Sequence, residues 1–342
     1  MVNILKNNSS DFEGIKEWDY EENFYTLNTE YGNLRIHYVD EGSNNDKTVL
    51  LLHGEPDWGY IYRKFINPLV ESGLRVVVPD LPGFGKSDKL SERTAYTYEK
   101  YVSWMNTWLR DLNLENITLF GQDWGGLVGL RVVAEMPDRF AKVIVSNTGM
   151  VAGEGIRAWF TQRMVEFTVW WNGPITFEEL KTAAQGALNS DNPSSSDGIS
   201  MFTKWIAYSY YSKDMDIVGI IENFGRLNLS EGEKKAYEAP YPSGRYKAGA
   251  HVWPYLIPTQ LQENEKYWKE IYEKWDKPFL VAFGGEERIT IRMKDDFLNR
   301  IPNPTVITLG GAGHFVQEEV GPELAQIMID FIKGQEVSDL VQ

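Results

Sequence analysis

Short runs of aliphatic and β-branched residues alternate with amphipathic stretches over the first half of the chain. A run of about four to eight such residues bounded by turns indicates a buried strand, and a longer stretch that is apolar on one side indicates a helix. The predicted strands are Phe24–Leu27, Leu34–Val39, Thr48–Leu52, Arg75–Val78, Ile117–Phe120 and Val143–Val145, and the predicted helices are Tyr60–Glu71, Tyr98–Leu112 and Gly126–Glu135. Because a helix between two strands lets them run parallel, this alternation predicts a mostly parallel sheet covered on both faces.

The alternation stops near residue 150 and resumes near residue 255. Between these points lie aromatic-rich helical segments separated by polar turns such as Asn192–Asp197, and none of them has the pattern of a buried strand. The later predicted elements are strand Pro278–Phe283, helix Met293–Ile301, strand Thr305–Leu309 and helix Pro322–Lys333. We therefore expect one α/β domain of residues 1–150 and 255–342, interrupted by a helical domain of residues 151–254. Two domains side by side are the alternative, but they would leave the last two strands without a sheet.

The composition argues against several classes of partner. The net charge of −15 disfavours binding to nucleic acid and to anionic membrane surfaces. No apolar run approaches the roughly 18 residues that cross a bilayer. The segment Met1–Phe12 is polar and lacks the basic-then-apolar pattern of a secretory signal, so we expect a cytoplasmic protein, either a monomer or a weak homo-oligomer.

The chain contains no cysteine. Disulfides, thiol catalysis and cysteine-bound metals are therefore excluded. The four histidines are His37, His53, His251 and His314, and no two have the spacing with which a helix binds zinc. We expect no metal site and no cofactor.

The segment GQDWGG, residues 121–126, directly follows a predicted strand and precedes a predicted helix. This is the context of a nucleophile elbow, in which small residues permit a sharp turn and the helix directs its N-terminus at developing negative charge. Asp123 stands where a serine is usual. The alternative is that Asp123 only caps the helix, a common role of aspartate, and this motif alone does not separate the two.

Two further motifs follow predicted strands. HGEP, residues 53–56, comes after Thr48–Leu52, and its glycine lets the next backbone N–H face the elbow as half of an oxyanion hole. The loop Gly310–His314 follows the last strand, and a histidine in a glycine-rich loop suits a catalytic base. An ordinary turn and a core histidine are the alternatives. Because ligands bind at the carboxyl ends of parallel strands, the three motifs together favour a catalytic site.

These motifs together resemble the haloalkane dehalogenases of the α/β-hydrolase superfamily. The matching segments are HGEPDWGYIYRK (53–64), VVVPDLPGFGKSDK (76–89), FGQDWGG (120–126), FTKW (202–205), AYEAPYPSGRYKAG (236–249) and GAGHF (311–315). The likeness covers most of the chain and is weakest in residues 1–20 and in the middle of the insertion. It implies an α/β-hydrolase fold whose insertion is a helical cap over the active site. It also implies the hydrolysis of a halogenated alkane by water to an alcohol and a halide ion.

The resemblance implies a role for each site residue. Asp123 matches the nucleophile, His314 the base that activates water, and Trp124 one halide-binding tryptophan. Trp205 of FTKW matches the second halide-binding tryptophan in the subgroup whose loop is HGEP. Other subgroups have a halide-binding asparagine in place of Glu55. We therefore expect Glu55 to contribute its backbone N–H, and not its side chain, to the oxyanion hole.

The acid that orients His314 is predicted at Glu287. A Gly-x-x-acid pattern at the end of the strand selects Glu287, although the resembling enzymes mostly have aspartate there. Glu286 is the neighbouring alternative and lies on the opposite side of the chain if the segment is still extended. Asp295 falls within a predicted helix. Asn147 stands where another subgroup has its acid, and an amide cannot act as one.

Three other functions are possible on this fold. Epoxide hydrolases share the aspartate nucleophile but protonate an alkoxide with cap tyrosines, and Tyr208, Tyr210 and Tyr211 lie close to Trp205 in the sequence. Their motifs are typically HGFP and GHDW, against HGEP and GQDW here. A fluoroacetate dehalogenase is disfavoured because it has arginine where Trp124 stands. A non-catalytic binding protein is the third alternative.

Overall fold

The computed structural model describes residues 1–42, 47–189 and 200–341. Its strands are β1 (Ile4–Leu5), β2 (Asn23–Thr29), β3 (Gly32–Glu41), β4 (Thr48–Leu52), β5 (Arg75–Pro79), β6 (Lys89–Leu90), β7 (Ile117–Gln122), β8 (Phe140–Ser146), β9 (Phe279–Gly284) and β10 (Thr305–Leu309). Its helices are α1 (Arg63–Glu71), α2 (Tyr98–Asp111), α3 (Asp123–Glu135), α4 (Gly155–Asn172), α5 (Phe177–Asn189), α6 (Met201–Tyr211), α7 (Ile217–Gly225), α8 (Glu231–Glu238), α9 (Ala248–Leu256), α10 (Leu261–Glu270), α11 (Ile291–Arg300), α12 (Val316–Glu319) and α13 (Gly321–Lys333).

Eight strands form the central sheet in the order β10-β9-β8-β7-β4-β5-β3-β2. The strands from β10 to β5 are parallel, and β3 and β2 add two antiparallel strands at one edge. The predicted fold class, a mostly parallel sheet flanked by helices, is therefore confirmed. Each predicted strand is present with small shifts at its ends, whereas the short pair of β1 and β6 was not expected.

The middle strands of the sheet are buried from end to end. Every residue of β4, β7 and β9 is buried, so both faces of the sheet are covered at these strands. This double burial explains why their sequences are continuous apolar runs without polar alternation. Around the sheet, α1 packs against α13, and α2 packs against α3.

The chain between β8 and β9, called here the helical insertion, adds no strand to the sheet. Its regular elements in the described ranges are helical, from α4 to α10, and α6 packs against α4, α5 and α9. Val169, Ile206 and Ala207 form a small apolar core between α4 and α6, separate from the main core. The predicted turn Asn192–Asp197 lies outside the described residues. The break in the sequence pattern corresponds to this run of helices.

Two predicted helices begin three residues away from the expected residue, and two others begin one or two residues early. The helix predicted from Tyr60 begins as a 3₁₀ turn, Gly59–Tyr62, and continues as α1. The helix predicted from Gly126 begins at Asp123, and β7 ends at Gln122. No residue therefore separates strand from helix at the elbow, which makes Asp123 the corner of the turn.

Candidate active site

Four loops that meet at one edge of the sheet carry the residues singled out in the sequence. Glu55 follows β4, Asp123 follows β7, Glu287 follows β9 and His314 follows β10. These strands are parallel and lie close together in the order β10-β9-β8-β7-β4. Their carboxyl ends therefore open on the same edge, where open α/β sheets bind ligands.

The turn at Asp123 is tight and its backbone is fixed. Asp123 has φ +50°, in the left-handed region that residues other than glycine rarely adopt. A Cβ atom at Gly125 would lie 1.8 Å from the carbonyl oxygen of Leu52, so the strand and the turn can approach this closely only with glycine there. The hydroxyl of Thr148 donates to the carbonyl oxygen of Asp123 at 2.6 Å. The elbow thus presents the Asp123 side chain in one direction.

The carboxylate of Asp123 lies between two other loops. Its Oδ1 accepts a hydrogen bond from the backbone N–H of Glu55 at 2.8 Å, and its Oδ2 lies 3.5 Å from Nε2 of His314. Gly54 makes this approach possible, because a Cβ atom there would lie 2.7 Å from Oδ1 of Asp123. The N-cap residue of α3 is Gln122 and not Asp123, and the helix has no side-chain cap hydrogen bond. The alternative in which Asp123 only caps α3 is therefore wrong.

His314 is held by a buried carboxylate on its other side. Its Nδ1 lies 2.9 Å from Oε2 of Glu287, whose side chain is completely buried. Oε1 of Glu287 accepts the backbone N–H of Thr290 at 2.7 Å and that of Ile289. Burial acts to raise the pKa of Glu287, but His314 and the two N–H groups outweigh it, so the pKa lies below its usual value. Glu287 is therefore an ionised acceptor for the imidazole.

The imidazole of His314 is strongly biased toward its charged form. Burial acts to lower the pKa of His314, but the carboxylates of Glu287 and Asp123 outweigh burial and raise the pKa to about 10. At neutral pH the imidazole is therefore protonated while Asp123 carries its charge. A change that removed the charge of Asp123 would lower this pKa.

Glu286 points away from the site. Its side chain is 48% exposed and forms an ion pair with Arg226 at 3.0 Å. The expected reason for this divergence, an extended strand with alternating sides, is wrong. The backbone turns after β9, and the N–H of Glu287 donates to the carbonyl oxygen of Gly284 at 3.2 Å. This turn directs Glu287 inward and leaves Glu286 at the surface.

The side chain of Glu55 lies in the same buried site. It is 5% exposed, and its Oε1 has no hydrogen-bond partner among the described residues. Burial, together with the nearby carboxylates of Asp123 and Asp57, raises the pKa of Glu55 well above its usual value. This rise in pKa favours the uncharged form of the side chain, while its backbone N–H donates to Asp123.

An apolar cavity of about 90 Å³ lies over Asp123. The sheet edge contributes Asp123, Trp124, Glu55 and His314, and the helical insertion covers them with apolar side chains. Those side chains are Met201, Phe202, Trp205, Ile220, Phe224 and Ile257. Trp124 is stacked on Trp253 at 4.9 Å between ring centroids, and Trp205 meets the ring of Phe224 at 5.4 Å. Neither cavity tryptophan donates its indole N–H to an acceptor in the described part of the chain.

No group of three or more histidine, aspartate or glutamate side chains within residues 1–42, 47–189 and 200–341 has the geometry of a metal site. In the same ranges, no helix combines the length and the hydropathy needed to cross a bilayer.

Comparison with known proteins identifies the family. Residues 47–320 match the family model of the α/β-hydrolase fold. The haloalkane dehalogenase of Psychrobacter cryohalolentis is 35% identical over 97% of this chain and 98% of its own length. A haloalkane dehalogenase of Mycolicibacterium paratuberculosis is 32% identical over 96% of this chain and 98% of its own length. The chain belongs to the haloalkane dehalogenases. It is an enzyme that hydrolyses carbon–halide bonds.

A solved structure extends the comparison to three dimensions. The tetrameric haloalkane dehalogenase of Paraglaciecola agarilytica superimposes with a TM-score of 0.73, over 95% of this chain and 97% of its own, at 30% identity. The α/β-hydrolase architecture expected from the sequence is confirmed.

The tyrosines that would suit an epoxide hydrolase do not reach the cavity of this enzyme. The hydroxyl of Tyr208 accepts the backbone N–H of Asp216 at 3.0 Å, and Tyr210 lies against Tyr255 at 4.9 Å between centroids. Neither of these tyrosines, nor Tyr211, lines the cavity. No tyrosine hydroxyl among the described residues is therefore placed to protonate an alkoxide formed above Asp123.

Sequence reasoning missed the structural role of Asn147 at the end of β8. Its side-chain amide donates to the carbonyl oxygens of Gly313 at 2.6 Å and His314 at 3.0 Å, and its Oδ1 accepts the N–H of Gly284 at 2.9 Å. Gln122 also donates to the carbonyl oxygen of His314, at 3.0 Å. These amides connect the loops that carry Glu287, Asp123 and His314. Their position at the carboxyl ends of strands was the signal that could have indicated them.

Proposed function

We propose that the enzyme converts short haloalkanes to primary alcohols through a covalent alkyl ester on Asp123, which water activated by His314 then hydrolyses. One observation carries the proposal: the Asp123 carboxylate lines an apolar cavity together with His314, 3.5 Å away, and with two tryptophans, Trp124 and Trp205. A carboxylate is ionised at neutral pH and can attack a saturated carbon without a base. The cavity of about 90 Å³ suits small substrates.

In the first step, Oδ2 of Asp123 attacks the carbon that bears the halogen. Oδ1 is already engaged by the N–H of Glu55, so Oδ2 is the freer nucleophile. The new carbon–oxygen bond forms as the carbon–halogen bond breaks, and the bonding pair leaves with the halide. The indole N–H groups of Trp124 and Trp205 hold the halide, because they are donors carried on rigid apolar rings that admit no extra water.

The loss of charge on Asp123 prepares the second step. An ester has no negative charge, so the pKa of His314 falls once Asp123 is alkylated, and the imidazolium releases its proton to solvent and becomes able to accept another. His314 takes a proton from water as the water oxygen attacks the ester carbonyl. The tetrahedral intermediate collapses to release the alcohol, which receives the proton from His314. The oxygen that leaves in the alcohol is the former Oδ2, and a water oxygen replaces it in Asp123.

The oxyanion of this second step forms at Oδ1. The N–H of Glu55 already lies 2.8 Å from that atom, so this donor needs no rearrangement when charge develops. We assign the second donor to the backbone N–H of Trp124, in the first turn of α3, where N–H groups have no partner within the helix. Glu287 keeps His314 in the tautomer that accepts at Nε2.

We also assign the enzyme to the subgroup with an HGEP loop and a halide-binding tryptophan from the cap, Trp205. In this assignment residues 151–254 are the cap domain, and residues 1–150 and 255–342 are the core. The supporting observations are that Trp124 and Trp205 both line the cavity and that burial and the neighbouring carboxylates raise the pKa of Glu55, which favours its uncharged form. A charged Glu55 beside a departing halide would oppose halide binding.

The test is halide release from short bromo- and chloroalkanes, scored against the opening of epoxides of similar size. We expect halide release and acidification of weakly buffered solution, both unaffected by a chelator. Epoxide opening without halide release would replace the proposal with the epoxide hydrolase alternative. Absence of turnover across a broad panel would favour a binding protein.

A further inference from the structure

Helix α4 lies on the outer side of the helical insertion and is apolar on both of its sides. Its inner side contributes Val169 to the apolar core shared with Ile206 and Ala207 of α6. The helix also carries seven large apolar side chains that are 51–72% exposed, of which Ile156 is the first. The six aromatic and methionine side chains among them are called here the outer face of α4: Trp159, Phe160, Met164, Phe167, Trp170 and Trp171. A helix that is apolar all round is normally buried all round. The outer face therefore has the composition of an interface.

The spacing of the outer face is that of a helix-pairing seam. Phe160, Met164, Phe167 and Trp171 follow one another at intervals of four, three and four residues. This alternation of intervals places apolar side chains along one line of a helix, where they can interlock with a second helix. The ring of Phe167 lies 5.9 Å from that of Trp171, and Trp159 lies 5.0 Å from Phe160, so the surface is continuous.

The exposed area is large enough for a stable dimer. If a fully exposed aromatic or methionine side chain presents roughly 200 Å², the outer face leaves on the order of 700 Å² in contact with water. The largest apolar patch on a typical monomer is about 300–600 Å². A standard interface buries about 800 Å² on each partner. The exposed area of the outer face is therefore larger than the largest apolar patch of a typical monomer. It also supplies most of the area that one partner buries in a standard interface.

The charge on α4 indicates which partner fits. The helix carries Arg157, Arg163 and Glu166, a local charge of +1, in a chain with a net charge of −15. Two copies of the chain repel each other through most of their acidic surfaces and much less through this helix, whose net charge is small. A surface of anionic lipid would be repelled by the rest of the molecule.

We propose that the outer face of α4 is the interface of a homodimer in which the two copies of α4 pack antiparallel about a two-fold axis. A two-fold axis pairs the same patch on both copies, so a self-complementary apolar seam is what such an interface requires. The inner side of α4 packs on α6, which carries Trp205. In the dimer, the second copy of α4 therefore packs on the outer side of the helices that cover the cavity.

Sedimentation of the whole protein tests the proposal. The wild type should sediment at twice the chain mass of 39.3 kDa at micromolar concentration. The double variant Phe167→Glu/Trp171→Glu should sediment at the single-chain mass, because the two-fold axis brings four added carboxylates together. Its matched control is Leu298→Glu, which places a charge at an apolar residue of α11 that is 40% exposed and should leave the dimer intact.

Cross-linking tests the antiparallel arrangement. The chain has no cysteine, so Met164→Cys places a single thiol near the middle of α4. Oxidation should link two chains covalently in this variant and not in the control Leu298→Cys, because only α4 meets its own copy within disulfide reach.

Several results would overturn the proposal. One is a wild type that stays monomeric at about 0.1 mM, where a dimer of micromolar dissociation constant would be formed. Another is a dimer that survives Phe167→Glu/Trp171→Glu, which would place the interface elsewhere. A dimer in which Met164→Cys does not cross-link would exclude the antiparallel pairing. A monomer that binds phosphatidylcholine vesicles through α4 would assign the outer face to a membrane.

Discussion

At the edge of the sheet, the groups around Asp123 are fixed by hydrogen bonds to the backbone of neighbouring loops, whereas across the cavity the helical insertion presents apolar side chains. Oδ1 of Asp123 is held by the N–H of Glu55, and Glu287 by the N–H groups of Thr290 and Ile289. On the opposite wall, Phe202 and Phe224 contribute only packing. Trp205 is the residue of that wall that has a donor to offer.

The difference reflects what each side has to do. Directional bonds fix atoms to a few tenths of an ångström, as proton transfer and oxyanion binding require. Apolar packing fixes shape and excludes water, and it tolerates a change of side chain better than a hydrogen-bond network does. Changes at the sheet edge should therefore reduce the rate for every substrate. Changes in the insertion should alter halide binding and the choice of substrate.

The largest effect is expected at the sheet edge, from Glu287→Gln. The amide can donate to Nδ1 of His314 and so favours the wrong tautomer, which costs about 10⁴-fold in turnover in comparable triads. The first burst of halide should survive, because alkylation needs no base. Halide release in the steady state measures the turnover, and halide release before the steady state measures the burst.

The matched control for that change is Glu286→Gln at the adjacent, exposed position. It loses only the surface pair with Arg226, and turnover should stay within about twofold, since exposed ion pairs contribute little. If Glu286→Gln were the damaging variant, the assignment of the acid to Glu287 would be wrong.

A smaller effect is expected from Trp205→Phe in the insertion. The change keeps the aromatic body and removes the donor that we propose holds the departing halide, at a cost on the order of 3 kcal/mol, about a hundredfold in rate. Saturable quenching of tryptophan fluorescence by bromide should weaken as well. Trp275→Phe, at a tryptophan that does not line the cavity and whose indole N–H has no partner among the described residues, is the control and should change neither quantity. A Trp205→Phe variant with normal halide response would move the halide site elsewhere in the insertion.

The smallest effect concerns the titration of His314. In the wild type the imidazole should remain protonated through neutral pH and lose its proton near pH 10. Asp123→Asn removes one of the two carboxylates that raise this pKa, so the imidazole should titrate lower by about one to three units, the range for an opposite charge at ~4–6 Å. The pKa of His314 in the wild type and in Asp123→Asn is measured from the NMR signals of the imidazole as the pH is changed. An unchanged pKa would mean that alkylation of Asp123 does not convert His314 into a base.

The sequence predicts the sheet, and the loops on which Asp123 and His314 lie, because strand ends and glycine-rich turns are local patterns. Asp123 and His314 are found from the turns that carry them. The bonds of Asn147 to Gly284 and to the loop of His314 are not local, since they depend on which loops become neighbours in the folded sheet. The turn that separates Glu286 from Glu287 was missed for a different reason: the end of a strand is the least certain part of its prediction.

Trapping the intermediate in His314→Gln tests the covalent mechanism most directly. Without the imidazole the ester should form but not hydrolyse, so the variant should release about one halide per active site and then stop. Intact mass should rise by the mass of the alkyl group, and digestion should place that group on the peptide containing Asp123. Continued turnover without an adduct, or an adduct on any other residue, would contradict a mechanism in which Asp123 is the nucleophile.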